Sequence, residues 1–323
     1  MTPQEKRGGA VRMASIDLGT NTFLLLVAEH QDGRLMPVCE RETIVRLGKE
    51  VDAAGNLQAG AIQRGLACLQ EYLRLARAHG ATRIIAVGTS ALRDAGNRAE
   101  FLQRVQAETG LQVHIISGET EARLTYLGAL SNQRGLAEPI AVMDIGGGST
   151  EIVTGTHEVI HSARSADIGS VRLTERFLHS DPVTAAEVAA VRQQARQAMR
   201  AVWPRNEFDK IRSLVGTAGT LTTLAAMAQQ LAEYDPARIA GFVLSKKTLH
   251  SMVAQLSGLT ITQRKKLPGL APARADVILA GALILETFME VYDFDEILVS
   301  DRGLRYGVLL GFDKQEGSGR EAA

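Results

Sequence analysis

At 323 residues, with 45% hydrophobic residues and a mean hydropathy of -0.01, the chain has the length of two domains and an ordinary globular composition. Its 36 basic and 36 acidic residues cancel to a formal net charge of zero, which argues against a nucleic-acid coat or an anionic membrane surface as partner. No apolar run approaches the ~20 residues that cross a bilayer, and residues 1–12 lack a signal-peptide core. Cys39 and Cys68 stand far apart, so the expectation is a cytoplasmic protein with reduced, buried thiols.

Residues 14–17 and 23–27 read as strands joined by Leu18-Gly19-Thr20-Asn21-Thr22, and Asp32-Gly33 predicts a turn into a third strand. Ile62, Leu66, Leu69, Leu73 and Ala76 recur at helical spacing over 61–78, with Gly80 as terminator. A buried strand at 84–87 leads through Gly88-Thr89-Ser90-Ala91-Leu92 to Arg93, and a helix over 97–109 ends at Gly110. A strand at 113–116 runs into Ser117-Gly118-Glu119-Thr120-Glu121-Ala122-Arg123, which starts another helix.

The run Ile140-Ala141-Val142-Met143 enters Asp144-Ile145-Gly146-Gly147-Gly148-Ser149-Thr150-Glu151, and Ile152-Val153 leaves it. This is strand, glycine turn, strand, with a carboxylate at each end. His157 and His161 fall in predicted strands without an acidic partner at ligand spacing and read as structural. Thr184 and Glu187 form a capping box for a helix over 184–202. A strand at 211–215 opens into Gly216-Thr217-Ala218-Gly219-Thr220 and a helix. Helices over 245–256 and 274–292, a strand at 297–300 and a helix over 303–310 follow, and the tail from Asp313 reads as disordered. The basic clusters Lys246-Lys247 and Arg264-Lys265-Lys266 read as solvated faces, with extension of a polyanion groove as the alternative.

Asp17 to Thr22 and Asp144 to Ser149 share one design: apolar strand, Asp, aliphatic residue, Gly, small pair, hydroxyl, second strand. They lie about one domain length apart, which suggests two like α/β domains gripping a ligand between them. Three successive glycines remove every Cβ and permit φ > 0, and their consecutive N–H groups can form a nest for phosphate. Two acids beside such a nest are unfavourable unless a divalent cation bridges them to the phosphate. There is no GxxxxGK[ST] and no complete GxGxxG, so a P-loop and a dinucleotide fingerprint are excluded. Arg93, at a strand's carboxyl end, is the candidate counter-charge, against the plainer reading of a surface salt bridge. Glu119 and Glu121 are candidate general bases, against the plainer reading of helix N-terminal acids. Two residues apart, they cannot share a helix face, so at most one points into a cleft. Gly216, Thr217 and Gly219 form a third, weaker phosphate-binding candidate.

Taken in order, these motifs, together with Ile168-Gly169-Ser170-Val171-Arg172-Leu173-Thr174-Glu175 and Gly303-Leu304-Arg305-Tyr306-Gly307, resemble those of the exopolyphosphatase / guanosine pentaphosphate phosphohydrolase (Ppx/GppA) family. The resemblance covers nearly the whole chain. It implies an α/β fold of two RNase H-like domains, of the actin, sugar-kinase and chaperone-ATPase superfamily, flanking a cleft. The expected division is 1–124 plus 303–323 for one domain and 125–302 for the other. Carried over, Glu121 matches the family's catalytic base, and Asp144 and Glu151 match its acidic, Mg²⁺-linked positions. Asn21, Arg93 and Gly146 to Ser149 match its phosphate-binding positions, alongside Asp17, Gly19, Thr20 and Thr22 of the first hairpin. Position 120 is Thr where many members carry Glu, which leaves Glu119 as the only second acid of that motif. No His-Asp dipeptide occurs, so the chain is similar to the short form without the added HD-type domain. The resemblance implies inorganic polyphosphate, guanosine pentaphosphate or guanosine tetraphosphate as ligand and a homodimer as the assembly. A superfamily phosphotransferase and a non-hydrolytic polyphosphate or alarmone sensor are the alternatives.

Overall fold

The computed structural model describes residues 11–31 and 34–318. The first half comprises β1 (Val11–Leu18), β2 (Thr22–Gln31), β3 (Arg34–Ile44), α1 (Val51–Ala54), α2 (Ala59–Ala78), β4 (Arg83–Gly88), α3 (Ser90–Asp94), α4 (Arg98–Thr109), β5 (Val113–Ile115) and α5 (Gly118–Leu130). Next come β6 (Ile140–Ile145), β7 (Thr150–Gly155), β8 (Ile160–Ala166), α6 (Ser170–Phe177), α7 (Ala185–Val202), β9 (Ser213–Thr217) and α8 (Ala218–Ala228). The chain closes with α9 (Pro236–Ile239), β10 (Val243–Ser245), α10 (Lys246–Gly258), α11 (Ile261–Arg264), α12 (Ile278–Tyr292), β11 (Glu296–Val299) and α13 (Leu304–Ser318).

Two sheets carry the architecture, in the orders β3-β2-β1-β4-β5 and β10-β11-β9-β6-β7-β8. In each, a three-strand antiparallel meander continues through its first strand into parallel neighbours: β1 with β4 and β5, β6 with β9 and β11. The internal repeat is therefore a repeat of topology, two RNase H-like α/β lobes, with β10 added at one edge. Apolar faces of β1 and β2 pack with α2 and α4 around Phe23, Leu69 and Phe101. The second lobe buries α12 through its centre: nearly every residue of this apolar helix is buried, as a helix enclosed on all sides must be.

Between the lobes, α5 shows Ala122, Tyr126 and Ala129 to the second sheet and Leu124 to Ile85, Val87 and Val308. α5 and α13 approach at backbone distance: a Cβ on Gly128 would meet the Gly303 backbone, and one on Gly307 would meet the Leu124 carbonyl. Glycine is needed there for close approach. α4 ends at Gly110 as expected, with Gly110 at φ 71, and begins at Arg98 rather than at Asn97. Ser117 caps α5 through the Thr120 N–H, and Thr184 and Glu187 form the predicted capping box. Both cysteines are free and buried, and among the described residues no helix is long and apolar enough to cross a membrane.

Several expectations need correction. The Asp32-Gly33 turn lies outside the described residues, although both strands it was to join are present. α13 is assigned as far as Ser318, and the end of the tail read as disordered, 319–323, lies outside the described residues. Residues 274–277 precede α12, whose first residue is Ile278. His157 lies in the turn after β7 and does have an acidic partner, Glu138 at 2.7 Å. Arg264 is not on a solvated face: it is buried and donates to the Leu256 carbonyl at 2.8 Å, closing the end of α10.

Candidate active site

The two hairpin turns are built alike. Gly19 N–H donates to the Thr22 carbonyl at 3.1 Å, and Gly146 N–H donates to the Ser149 carbonyl at 3.0 Å. Each turn is preceded by a buried aspartate, Asp17 at the end of β1 and Asp144 at the end of β6. The copies differ in the return strand: Asp144 faces Glu151 across the second hairpin, whereas Asp17 faces Leu24. The second lobe thus holds the extra acid.

None of Gly146, Gly147 and Gly148 has a positive φ, contrary to one expected use of the triplet. Their purpose is proximity. A Cβ on Gly147 would lie 2.9 Å from Thr20 Cβ, and one on Gly148 would lie 3.0 Å from both Ser90 Cβ and Thr20 Oγ1. Any larger residue would push the two loops apart. Thr20, Asn21 and Ser149 are all buried in this seam, and the Asn21 amide nitrogen has no hydrogen-bond partner.

Glu121 and Arg93 meet beside the second loop. Arg93 Nη1 donates to Glu121 Oε2 at 2.5 Å and to the Ile116 carbonyl at 3.1 Å, and Nη2 reaches Ser149 Oγ at 3.4 Å. The two candidate glutamates separate as helix geometry requires: Glu121 is buried, whereas Glu119 is mostly exposed and paired with Arg123. Burial raises the Glu121 carboxyl above the usual range, while the Arg93 charge and hydrogen bond restrain it.

Asp17, Glu121, Asp144 and Glu151 form one mutually repelling group. Burial pushes Asp144 up to about 7, with the Glu121 charge adding to it. Burial likewise raises Asp17 and Glu151 well above ordinary carboxylates, and in both the charges of Glu121 and Asp144 contribute. Asp17 Oδ1 and Glu151 Oε2 are buried without a hydrogen-bond partner among the described residues. Orphaned oxygens in a cluster of excess negative charge fit a divalent cation. Among the described residues no three His, Cys, Asp or Glu side chains are arranged to hold an ion unaided. A divalent cation here would have to be held by one or two of these carboxylates and completed by other oxygen ligands.

The third glycine motif is placed differently. Thr217 Oγ1 donates to the Arg302 carbonyl at 2.7 Å, and a Cβ on Gly216 would meet Ile297 and Leu221, so both residues serve packing. Gly219 lies beneath the Arg274 guanidinium, which donates to Glu42 at 2.7 Å and to Thr22 Oγ1 at 3.3 Å. Ala218, beside it, holds the left-handed φ of 68 that a non-glycine residue seldom adopts. Arg274 and Arg172, both at the lobe seam, escaped the sequence reading; Arg172 sits inside the quoted Gly169-Ser170-Val171-Arg172 motif, the one signal that pointed to it.

Two opposed hairpin loops thus lie over a buried carboxylate cluster on a duplicated RNase H-like frame. The chain belongs to the Ppx/GppA phosphatase family, whose model matches residues 26–316. It is 40% identical over 312 residues to Exopolyphosphatase 2 of Mycobacterium tuberculosis, covering 93% of this chain and 98% of that protein. The crystal structure of the Aquifex aeolicus Ppx/GppA family member is 35% identical with a TM-score of 0.79, over 95% of this chain and 98% of that one. An exopolyphosphatase from Cytophaga hutchinsonii is 27% identical with a TM-score of 0.86, again over 95% and 98% of the two chains.

Proposed function

We propose that the protein is an exopolyphosphatase that releases the terminal phosphate of inorganic polyphosphate, with guanosine pentaphosphate as a second substrate converted to the tetraphosphate. The observation that carries this reading is the Arg93–Glu121 pair at 2.5 Å, buried at the edge of the second phosphate loop. A cleft that only sensed polyphosphate would gain nothing from a buried acid turned toward phosphates. A base lifted by burial and held by an arginine is suited to take a proton from water near neutral pH. The exopolyphosphatases among the relatives support the choice of substrate class.

In this reading the N–H groups of Gly19 to Thr22 and Gly146 to Ser149, with the Asn21 amide and the Thr20 and Ser149 hydroxyls, grip non-bridging oxygens of adjacent phosphates. Asp144 and Glu151 would hold Mg²⁺, with Asp17 beside them, and its bound charge would supply neutralisation of the terminal phosphoanhydride. Arg93 shares its guanidinium between the base and the loop, so it aligns Glu121 and places positive charge beside the transferring phosphoryl group. Glu121 orients a water in line with the scissile bond and accepts its proton. Phosphoryl transfer asks mainly for positioning and charge stabilisation, and no covalent nucleophile is required. We carry forward a cytoplasmic location, in keeping with two free buried thiols, and a homodimeric assembly, to be read from solution mass.

Phosphate release measured side by side on polyphosphate and guanosine pentaphosphate, with magnesium and with chelator, tests the reading. Wild type should release phosphate only with the cation. Glu121→Gln should bind polyphosphate but lose about 10²–10⁴-fold in turnover. Transfer of phosphate to an added acceptor, or full turnover by Glu121→Gln, would overturn it.

A further inference from the structure

Arg172 on α6 has no part in the chemistry above, yet its guanidinium contacts both sides of the seam between the lobes. Nε donates to the Gly148 carbonyl at 2.7 Å, within the second phosphate loop. Nη1 pairs with Asp52 on α1, and Nη2 pairs with Asp94 on α3 and reaches Ser90 Oγ at 3.4 Å. Only 11% of the side chain is exposed. Asp52 is also bonded to Arg176, one helical turn along α6. The cavity left at this seam is about 10 Å³, room for one water at most.

Two consequences follow from the covalent geometry. The Gly148 carbonyl and the Ser149 N–H belong to one planar trans peptide and point in opposite directions. An arginine that fixes the carbonyl therefore fixes the aim of the Ser149 N–H, one of the donors of the anion nest. On the other side, Asp94 follows Arg93 directly, and Arg93 holds Glu121. One planar fork thus ties a donor of the second lobe to the α3 turn of the first, which carries Arg93. Lysine, with its three donors on one nitrogen, could not span contacts that the guanidinium makes from three separate nitrogens.

We propose that Arg172 is a positioning residue that sets the Gly148–Ser149 peptide plane and, through Asp94, the register of that loop against Arg93 and Glu121. What it positions rests on the hydrolytic reading above. The fold has an independent tie at the same point, because Asp52 keeps Arg176 when Arg172 is changed.

The test compares Arg172→Gln, Arg172→Lys and wild type on polyphosphate, with rates normalised to the folded fraction. Arg172→Gln should lose about 100-fold in kcat, the scale of an ångström-sized misplacement. KM should stay within about threefold, because binding is spread over both loops. Arg172→Lys should fall between the two. In the substrate-free proteins, amide hydrogen exchange over 146–150 should be faster in Arg172→Gln than in wild type. A kcat within about threefold of wild type, a loss confined to KM, or unchanged exchange at these amides would overturn the proposal. Absence of phosphate release from wild type would instead sink the hydrolytic reading, and the exchange measurement would still decide whether Arg172 sets the loop.

Discussion

Replacing Arg93 by Gln removes the cation bonded to Glu121 while leaving the carboxylate buried. The two side chains are 20% and 10% exposed and 2.5 Å apart, so the pair counts as largely buried. Severing a buried pair costs about 3–5 kcal/mol, and the lower end applies because Arg93 keeps a fifth of its surface in solvent. In rate, loss of one oriented cationic donor beside the reacting phosphoryl group costs roughly two decades. The sign is fixed by what acts on Glu121: burial raises it, and both the charge and the hydrogen bond that lower it come from Arg93. Without Arg93, burial acts unopposed and the base holds its proton to higher pH. The acid limb of the kcat/KM profile should therefore move upward, with about a 100-fold loss near neutrality and partial recovery towards about pH 9. Arg93→Lys should lie between, since it keeps the charge but loses the planar fork. An unmoved acid limb in Arg93→Gln, with the same loss at every pH, would refute the pairing as the control on the base.

The carboxylate cluster sets a further pH dependence. Asp144 is raised from 3.8 to about 7 in the folded chain, so its contribution to stability is complete below its unfolded value and is lost as pH rises through about 7. The melting temperature of the cation-free protein should fall between about pH 5 and pH 8, and added magnesium should reverse the fall at the upper end. A melting temperature that rises over this interval would contradict the charge assignment. Gly307→Ala should destabilise by about 3 kcal/mol in urea unfolding, because its Cβ would fall on the Leu124 carbonyl, and backbone cannot step aside. A loss under about 1 kcal/mol would mean that α5 and α13 have slack at their crossing.

What the sequence revealed and what it hid divide along a physical line. The paired hairpins were legible because each is local: an aspartate, a glycine and a hydroxyl at fixed offsets, closed by matching N–H to carbonyl bonds. That at most one of the two glutamates could face the cleft was also legible, since residues two apart on a helix face different ways, and Glu119 turns outward to Arg123; which one came from the resemblance. Arg172 and Arg274 were hidden because their partners, Asp52 and Glu42, lie in the other lobe, where no spacing along the chain relates them. Of the uses expected of the glycine triplet, positive φ is not found; the missing Cβ atoms admit Thr20 and Ser90 of the facing lobe, a fact of packing that backbone preference does not encode. Arg264 misled for a similar reason, since a basic cluster looks solvated until one member is found closing a helix end in the core.

Hydrolysis of polyphosphate in ¹⁸O-labelled water tests the central claim most directly. Water attack at the terminal phosphorus, assisted by Glu121, predicts one solvent oxygen in each released orthophosphate and none in the shortened chain, with label incorporation lost in Glu121→Gln. Label in the residual chain, or release of orthophosphate without label, would contradict it.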